Sequence, residues 1–153
     1  MQGRLAKGSC SVAEPHHHEC EPARRALGNN STTTSFARTQ VEGLSSGATA
    51  VAVGSSHSCA VADGGVKCWG GNAYGQLGNN STIDSAIPVP VQNLTTGVTA
   101  ICAAAYHTCA LRDGGAYCWG DSGRGELGIN STTISPTPVQ VHGLTLGVTT
   151  INR

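Results

Sequence analysis

A gapless repeat of fifty residues constrains everything this chain can fold into. Residues 101–150 align with residues 51–100 at every position, and about half of the pairs are identical. The identities cluster. His57/His107, Cys59/Cys109, Asp63-Gly64-Gly65/Asp113-Gly114-Gly115, Cys68-Trp69-Gly70/Cys118-Trp119-Gly120 and Leu77-Gly78/Leu127-Gly128 all recur, and the match runs on to the Leu-Thr and Gly-Val-Thr near each end. A further copy is partial. Leu27–Thr32 matches Leu77–Thr82, and Val41, Leu44, Gly47 and Thr49 match Val91, Leu94, Gly97 and Thr99; upstream of Leu27 the pattern stops. A period of this length folds as stacked supersecondary units, each of which buries a face only against its neighbour.

Within one unit the periodicity is that of strands. Short apolar-leaning runs such as Val98–Leu111 and Ala116–Gly120 are bounded by Gly, Asp and Asn turns. No segment sustains apolar residues at i, i+3, i+4 and i+7 over a helical length. Glycine is abundant, at 21 residues, and charged residues make up only 12% of the chain, about half the usual share. Small and β-branched residues replace them, which favours strands and tight turns. Short strands with a Trp-Gly and a Gly-x-Leu-Gly in about fifty residues read as one propeller blade. The organisation is a non-repeat segment, 1–26, disordered or a frame artefact, followed by repeats over 27–153: a partial unit at 27–50 and full units at 51–100 and 101–150.

The pattern His-x-Cys-Ala-(Val/Leu)-x-x-Gly-Gly-x-x-Cys-Trp-Gly followed by x-Leu-Gly, present twice, resembles the repeat of the regulator of chromosome condensation family in its cysteine-bearing bacterial form, alpha-tubulin suppressor-like. The resemblance covers residues 27–153. It implies an all-β fold, a partial β-propeller of about two and a half blades, each a four-stranded antiparallel sheet. Members of that family include a guanine-nucleotide exchange factor for a small GTPase, chromatin binders, a photoreceptor and a protein inhibitor of β-lactamase, so the shared theme is a scaffold whose loops bind another protein.

The paired cysteines follow from turn geometry. With Asp63-Gly64 as the central pair of a type I′ hairpin turn, Ala62 faces Gly65, Val61 faces Val66, Ala60 faces Lys67 and Cys59 faces Cys68. Counted outward from the turn, that last pair is non-hydrogen-bonded, with Cα atoms about 4.5 Å apart and within disulfide reach. Cys109 and Cys118 repeat the arrangement around Asp113-Gly114. A disulfide staple is the favoured reading; paired reduced thiols come second, and a metal, which wants a tighter Cys-x₂₋₄-Cys knuckle, comes last. The expectation is therefore no metal and no cofactor. Cys102 has no partner in register, because Ala52 stands at the matching place, and reads as a small buried strand residue.

Other chemistry-bearing residues carry less. His16-His17-His18 stands outside the repeat, with nothing to pre-organise it as a metal tract. His57 and His107 recur at equivalent positions, as structural residues do, and are expected to hydrogen-bond an inter-strand loop. Trp69 and Trp119 sit beside glycine and are expected to pack between blades. The Asn-x-Ser/Thr triplets, at Asn29, Asn30, Asn79, Asn80, Asn93 and Asn130, read as repeated turn chemistry. No Ser-His-Asp constellation, phosphate loop or nucleotide fingerprint is visible, so an enzyme is not expected. The formal net charge is zero and basic residues are scattered, which argues against nucleic acid. No apolar run approaches a membrane span.

The positions that differ between copies are the binding candidates: Gly71–Gln76 against Asp121–Glu126, and Thr82–Pro90 against Thr132–Gln140. Tyr74 and Arg124 stand at equivalent places in them, and both residue types are enriched at interfaces. The expected function is a non-enzymatic propeller scaffold, or a fragment of one, that binds a protein through blade loops. A GTPase exchange regulator and a secreted hydrolase inhibitor are the alternatives that the family resemblance implies. The paired cysteines point to an oxidising, extracytoplasmic or secreted setting, although no signal peptide is visible. Ala23-Arg24-Arg25-Ala26, if encoded GCT CGG CGA GCT C, reads Leu-Gly-Glu-Leu one nucleotide on, close to this family's own blade ending. The expectation is thus a shifted frame or wrongly chosen start before Leu27, and a chain that needs missing blades or self-assembly to close a propeller.

Overall fold

The computed structural model describes residues 27–152. Eight strands, all of six residues, form two four-stranded antiparallel sheets with consecutive strands as neighbours. The first holds β1 (Ala48–Val53), β2 (His57–Ala62), β3 (Gly65–Gly70) and β4 (Ser85–Pro90); the second holds β5 (Val98–Ala103), β6 (His107–Arg112), β7 (Gly115–Gly120) and β8 (Ser135–Gln140). These are two blades, each the expected four-stranded antiparallel sheet. His16–His18, Cys10, Cys20 and the frame question before Leu27 lie outside the described residues.

The central hairpins form as the sequence dictates. Asp63 and Gly64 have φ of 52° and 78°, and Asp113 and Gly114 of 51° and 77°, the double left-handed geometry of a type I′ turn that matches strand twist. The register then runs Ala62↔Gly65, Val61↔Val66, Ala60↔Lys67 and Cys59↔Cys68, with Cys109↔Cys118 in the second blade. The hairpin strands β2 and β3 are buried almost throughout, because the second blade lies on them.

The contact between blades is the main core. Cys59, Val61, Val66, Cys68, Leu77, Val91 and Leu94 of the first blade pack with Val98, Ala110 and Trp119 of the second. The loop after β4 makes this possible by running on along β3 and past the Asp63-Gly64 turn to the second blade. Val66 donates its N–H to Leu94 O and Val91 to Val66 O, and Val98 then donates to Gly64 O as β5 begins.

Leu27 to Gly47 contains no strand. Its residues 35–40 stand where β4 stands one period later, but the third-strand sequence they would pair with is replaced by Pro15-His16-His17-His18-Glu19-Cys20. The half copy still follows the loop course of the full ones. Glu42, Gln92 and His142 donate to Gly28, Gly78 and Gly128 O at 2.8, 2.9 and 3.0 Å. Asn30, Asn80 and Asn130 all take left-handed φ of 56–60°, turn geometry that asparagine tolerates well.

The half copy therefore gives the first blade what the first blade gives the second: a glycine seat for a tryptophan. A Cβ on Gly28 would lie 2.8 Å from Trp69 Nε1, and one on Gly78 would lie 2.7 Å from Trp119 Nε1. Alanine substitutions separate this seat from backbone strain. Gly78 and Gly128 have φ of 67° and 63°, and an added Cβ would stand 2.9 and 2.8 Å from Cγ1 of Val91 and Val141; only at Gly78 does a tryptophan also block it. Gly78→Ala is expected to lose about 1–3 kcal/mol more than Gly128→Ala in urea unfolding, the usual range for overpacking. Equal losses would mean that Trp119 does not depend on the glycine.

Candidate functional site

Each blade has two ends. One carries the hairpin turns at Asp63-Gly64 and Asp113-Gly114. The other carries the β1–β2 and β3–β4 loops of the first blade and the β5–β6 and β7–β8 loops of the second. Both sequence-selected binding residues, Tyr74 and Arg124, lie at this second end.

Their presentation is built the same way twice. In the first blade, Gly75 donates to Asn72 O at 2.9 Å to close a tight turn, and Tyr74 donates its N–H to Gln76 Oε1 at 2.9 Å. In the second, Gly125 donates to Ser122 O at 2.8 Å and Arg124 to Glu126 Oε2 at 2.7 Å. The backbone N–H groups of Glu126 and Arg124 hold the Glu126 carboxyl below the usual carboxylate range. So the residue at 74 or 124 changes while the acceptor two positions on, amide or carboxylate, fixes the backbone under it.

Buried polar side chains brace these loops, and sequence reasoning missed them. Asn72 is fully buried. Its Nδ2 donates to Ser81 O at 2.9 Å and Ile83 O at 3.0 Å, and its Oδ1 accepts from Leu77 N–H at 2.9 Å. Ser122 stands in its place in the second blade and donates to Ser131 O at 2.8 Å. The only signal was an Asn/Ser exchange inside a variable loop.

Tyr74 does not stand alone. Its ring lies 4.9 Å, centroid to centroid, from that of Tyr106 in the β5–β6 loop, tilted by 40°, a spacing typical of an attractive aromatic pair. Both rings remain well exposed, at 39% and 41%. The pair bridges the two blades at the variable-loop end. Tyr106 was not among the sequence candidates, although it replaces Ser56 in register and so differs between copies. Arg124 is exposed; its side chain is not part of this aromatic contact.

Below the loops runs a hydrogen-bonded seam between blades. The Gln76 carbonyl accepts from Trp119 Nε1–H at 2.9 Å and from the Thr108 hydroxyl at 3.1 Å. Thr108 Oγ1 lies 2.8 Å from His57 Nε2. Because the Thr108 proton is committed to the carbonyl, His57 must donate from Nε2, which leaves Nδ1 as a bare lone pair. His57 thus binds a side chain of the next blade, not the inter-strand loop expected from sequence: partner and ring belong to different copies, so a comparison of one copy with another does not pair them. The ring is 1% exposed and its Nδ1 has no hydrogen-bond partner among the described residues. Burial, helped by His107, lowers its pKa to about 4, so it is neutral and structural at neutral pH.

The cysteine pairs stand at disulfide distance, with sulfurs 2.13 and 2.07 Å apart and Cα atoms 4.0 and 4.1 Å apart for Cys59/Cys68 and Cys109/Cys118. Cys102 is a free thiol, half-buried where a buried residue was expected. The reason is its place on the inner strand β5, where it helps to line an open groove with Val51, Val53, Ile101 and Ile151.

Two strands-and-turns blades with a tryptophan–glycine seam between them define the class: a β-propeller built of sequence repeats. The family model for the regulator of chromosome condensation (RCC1) repeat matches residues 63–111 and 113–151, and a second RCC1 repeat model matches residues 48–76 and 98–126. The chain belongs to the RCC1 repeat family. Among solved structures it resembles human WBSCR16, at 27% identity and a TM-score of 0.56 over 63% of this chain and 26% of that one. It also resembles Prp20p of Saccharomyces cerevisiae, in a structure reported with its binding to Gsp1p and histones, at 18% identity and a TM-score of 0.58 over 63% of this chain and 26% of that one. A third is yeast RCC1 (Prp20) bound to Kap60, at 19% identity and 0.54 over 63% and 25%. The chain spans about a quarter of the length of these relatives. Curated protein sequences give no match.

The buried histidine makes stability depend on pH with a definite sign. In the unfolded chain His57 takes up a proton below about 6.5, and in the folded chain only below about 4. Between those values the unfolded state binds more protons, so stability is full above the upper value and falls as pH drops to the lower one. The loss is on the order of 3 kcal/mol. Urea unfolding at pH 7 and pH 4.5 is expected to show this fall in the native chain, and a markedly smaller one in His57→Asn. An unchanged pH slope in that variant would place the ring in solvent.

Proposed function

We propose that this chain is a non-enzymatic pair of blades from a protein-binding propeller, and that the partner is met at the end carrying Tyr74, Tyr106 and Arg124. The observation that carries this is the division of labour in the β3–β4 and β7–β8 loops. The backbone under residues 74 and 124 is fixed by equivalent hydrogen bonds, while the side chain presented is tyrosine in one copy and arginine in the other. Residue types that dominate interface hot spots sit on a rigid frame, which limits the entropy lost on binding. The family supports a binding scaffold in general. Gsp1p, histones and Kap60 are partners of Prp20, and at under a fifth identity that likeness carries the fold alone.

We further read the paired cysteines as disulfides, and hence the setting as oxidising and outside the cytoplasm. Each would close a hairpin of nine residues' separation, worth about 2–3 kcal/mol on the chain-entropy account. The blade-to-blade face also calls for a neighbour. Leu94 is 1% exposed under the second blade, but its equivalent Leu144 is 43% exposed. Burying such a side chain is worth about 1.5–3 kcal/mol, so the second blade's face takes a further blade, from a second copy or from additional chain.

A photo-crosslinking residue at position 74 or 124 is expected to capture the same partner from a secreted or extracytoplasmic fraction, while one at the exposed His142, at the opposite end, captures none. Tyr74→Ala should weaken that partner at least tenfold, the scale of a hot-spot residue. Equal capture from position 142 would sink the reading. Light scattering tests the apolar face separately: concentration-dependent association that Leu144→Glu abolishes is expected, and an ideal monomer at all concentrations would remove the need for a neighbour.

A further inference from the structure

The second blade holds a row of three cysteines that the first blade lacks. Cys102 in β5 is directly opposite Cys109 in β6, and Cys109 is directly opposite Cys118 in β7. Opposed residues of an antiparallel sheet project from the same face, and Cys102 packs against the cluster of Cys109, Cys118 and Leu127. In the first blade the place of Cys102 is taken by Ala52, opposite Cys59. The structure thus contains a free thiol beside one stapled hairpin and an otherwise equivalent hairpin without it.

Two features of the strand register favour exchange along the row. Thiol–disulfide exchange displaces one sulfur from the side opposite to the attacking one, and three neighbours across consecutive strands lie along a line. The spacing of the alternative bond also fits. Cys109 meets Cys118 with Cα atoms 4.1 Å apart, the close, non-hydrogen-bonded kind of pair. Its backbone groups therefore point the other way, toward Cys102, and pairs of that kind stand about 5.5 Å apart, inside the range a disulfide spans.

We propose that Cys102, Cys109 and Cys118 form an internal disulfide relay that moves the staple of the second blade from the β6–β7 hairpin to the β5–β6 pair. The Cys102 thiolate attacks Cys109 Sγ and forms the Cys102–Cys109 bond. The Cys109–Cys118 bond breaks, and its electron pair leaves on Cys118 Sγ, which takes up a proton equivalent to the one Cys102 gave to solvent. One disulfide and one thiol are present before and after, so no oxidant or reductant is consumed. The relay frees a thiol on β7 in the cluster with Leu127 and Val139. Burial pushes the Cys102 thiol up, which keeps the thiolate scarce and the exchange slow near neutral pH.

The full chain with Cys10→Ser and Cys20→Ser, which removes the two cysteines that lie outside the described residues, provides the test. In that background Cys118→Ala, oxidised with glutathione disulfide and mapped by mass spectrometry, is expected to yield a Cys102–Cys109 linked peptide. Cys68→Ala, the matching change in the first blade, is expected to leave Cys59 without an intrachain partner. Cys102 and Cys109 both unlinked in a folded Cys118→Ala protein would overturn the relay. Where that variant does not fold, the background protein itself decides. After incubation without oxidant at about pH 8.5, where thiolate is accessible, and acid quenching, alkylation is expected on Cys118 as well as Cys102, and the former to vanish in Cys102→Ser. Alkylation of Cys102 alone would overturn the proposal.

Discussion

The Gln76 carbonyl holds the two blades in register. One oxygen takes the indole N–H of Trp119 and the hydroxyl of Thr108, both from the following blade, and through Thr108 it also fixes the ring of His57 behind it. None of these groups can easily be spared, since each is buried and an unpaired buried donor costs about 1–3 kcal/mol. The apolar contacts around the seam are non-directional and would tolerate sliding; the hydrogen bonds would not. A tryptophan seated on a glycine and pinned by a carbonyl is therefore the device that converts generic burial into one blade angle.

Using a main-chain carbonyl at that point frees the side chain of the same residue. The Gln76 side chain turns to the loop and accepts from Tyr74 N–H, and Glu126 does the same for Arg124. One position thus serves two requirements: its backbone locks the interior, and its side chain shapes the rim. Amide and carboxylate both serve there because the bond from residue 74 or 124 needs only an acceptor oxygen, although the Gln76 amide also donates to Ser56 Oγ at 3.4 Å. The same economy explains why the loop can present tyrosine in one blade and arginine in the next without disturbing the seam, which is the behaviour expected of a scaffold whose specificity lies in its loops.

What was legible in the sequence follows from this. Asp-Gly in both hairpins forces left-handed backbone at two consecutive positions, so turn type, register and the facing cysteines could be counted out residue by residue, and the observed pairs agree with that count. The strand content and blade order followed from the repeat. The seam did not. Its acceptor is a backbone group that any residue supplies, and its donor pair, His57 and Thr108, joins different copies, so aligning one copy on another says nothing about the contact. Asn72 was hidden for a related reason: Ser122 fills its place with a different bond to the same loop. Tyr106 was visible only as a departure from Ser56, and its meeting with Tyr74 depends on the angle between blades.

Departures from the repeat are consequently more informative than the repeat itself. Many of the identical positions are ones that the tryptophan–glycine contact, the turns and the hairpins use. Ser56 to Tyr106, Tyr74 to Arg124 and Ala52 to Cys102 are not demanded by any of these, since each copy folds with either residue. The first two changes fall at one end of the blades and alter what a partner would meet. The third falls on the inner strand, where a thiol stands in register beside a cysteine pair. A propeller of repeated units can hold such differences because its stability is approximately a sum over neighbouring units, so one blade can acquire a new surface or a reactive group while the seam on either side stays the same.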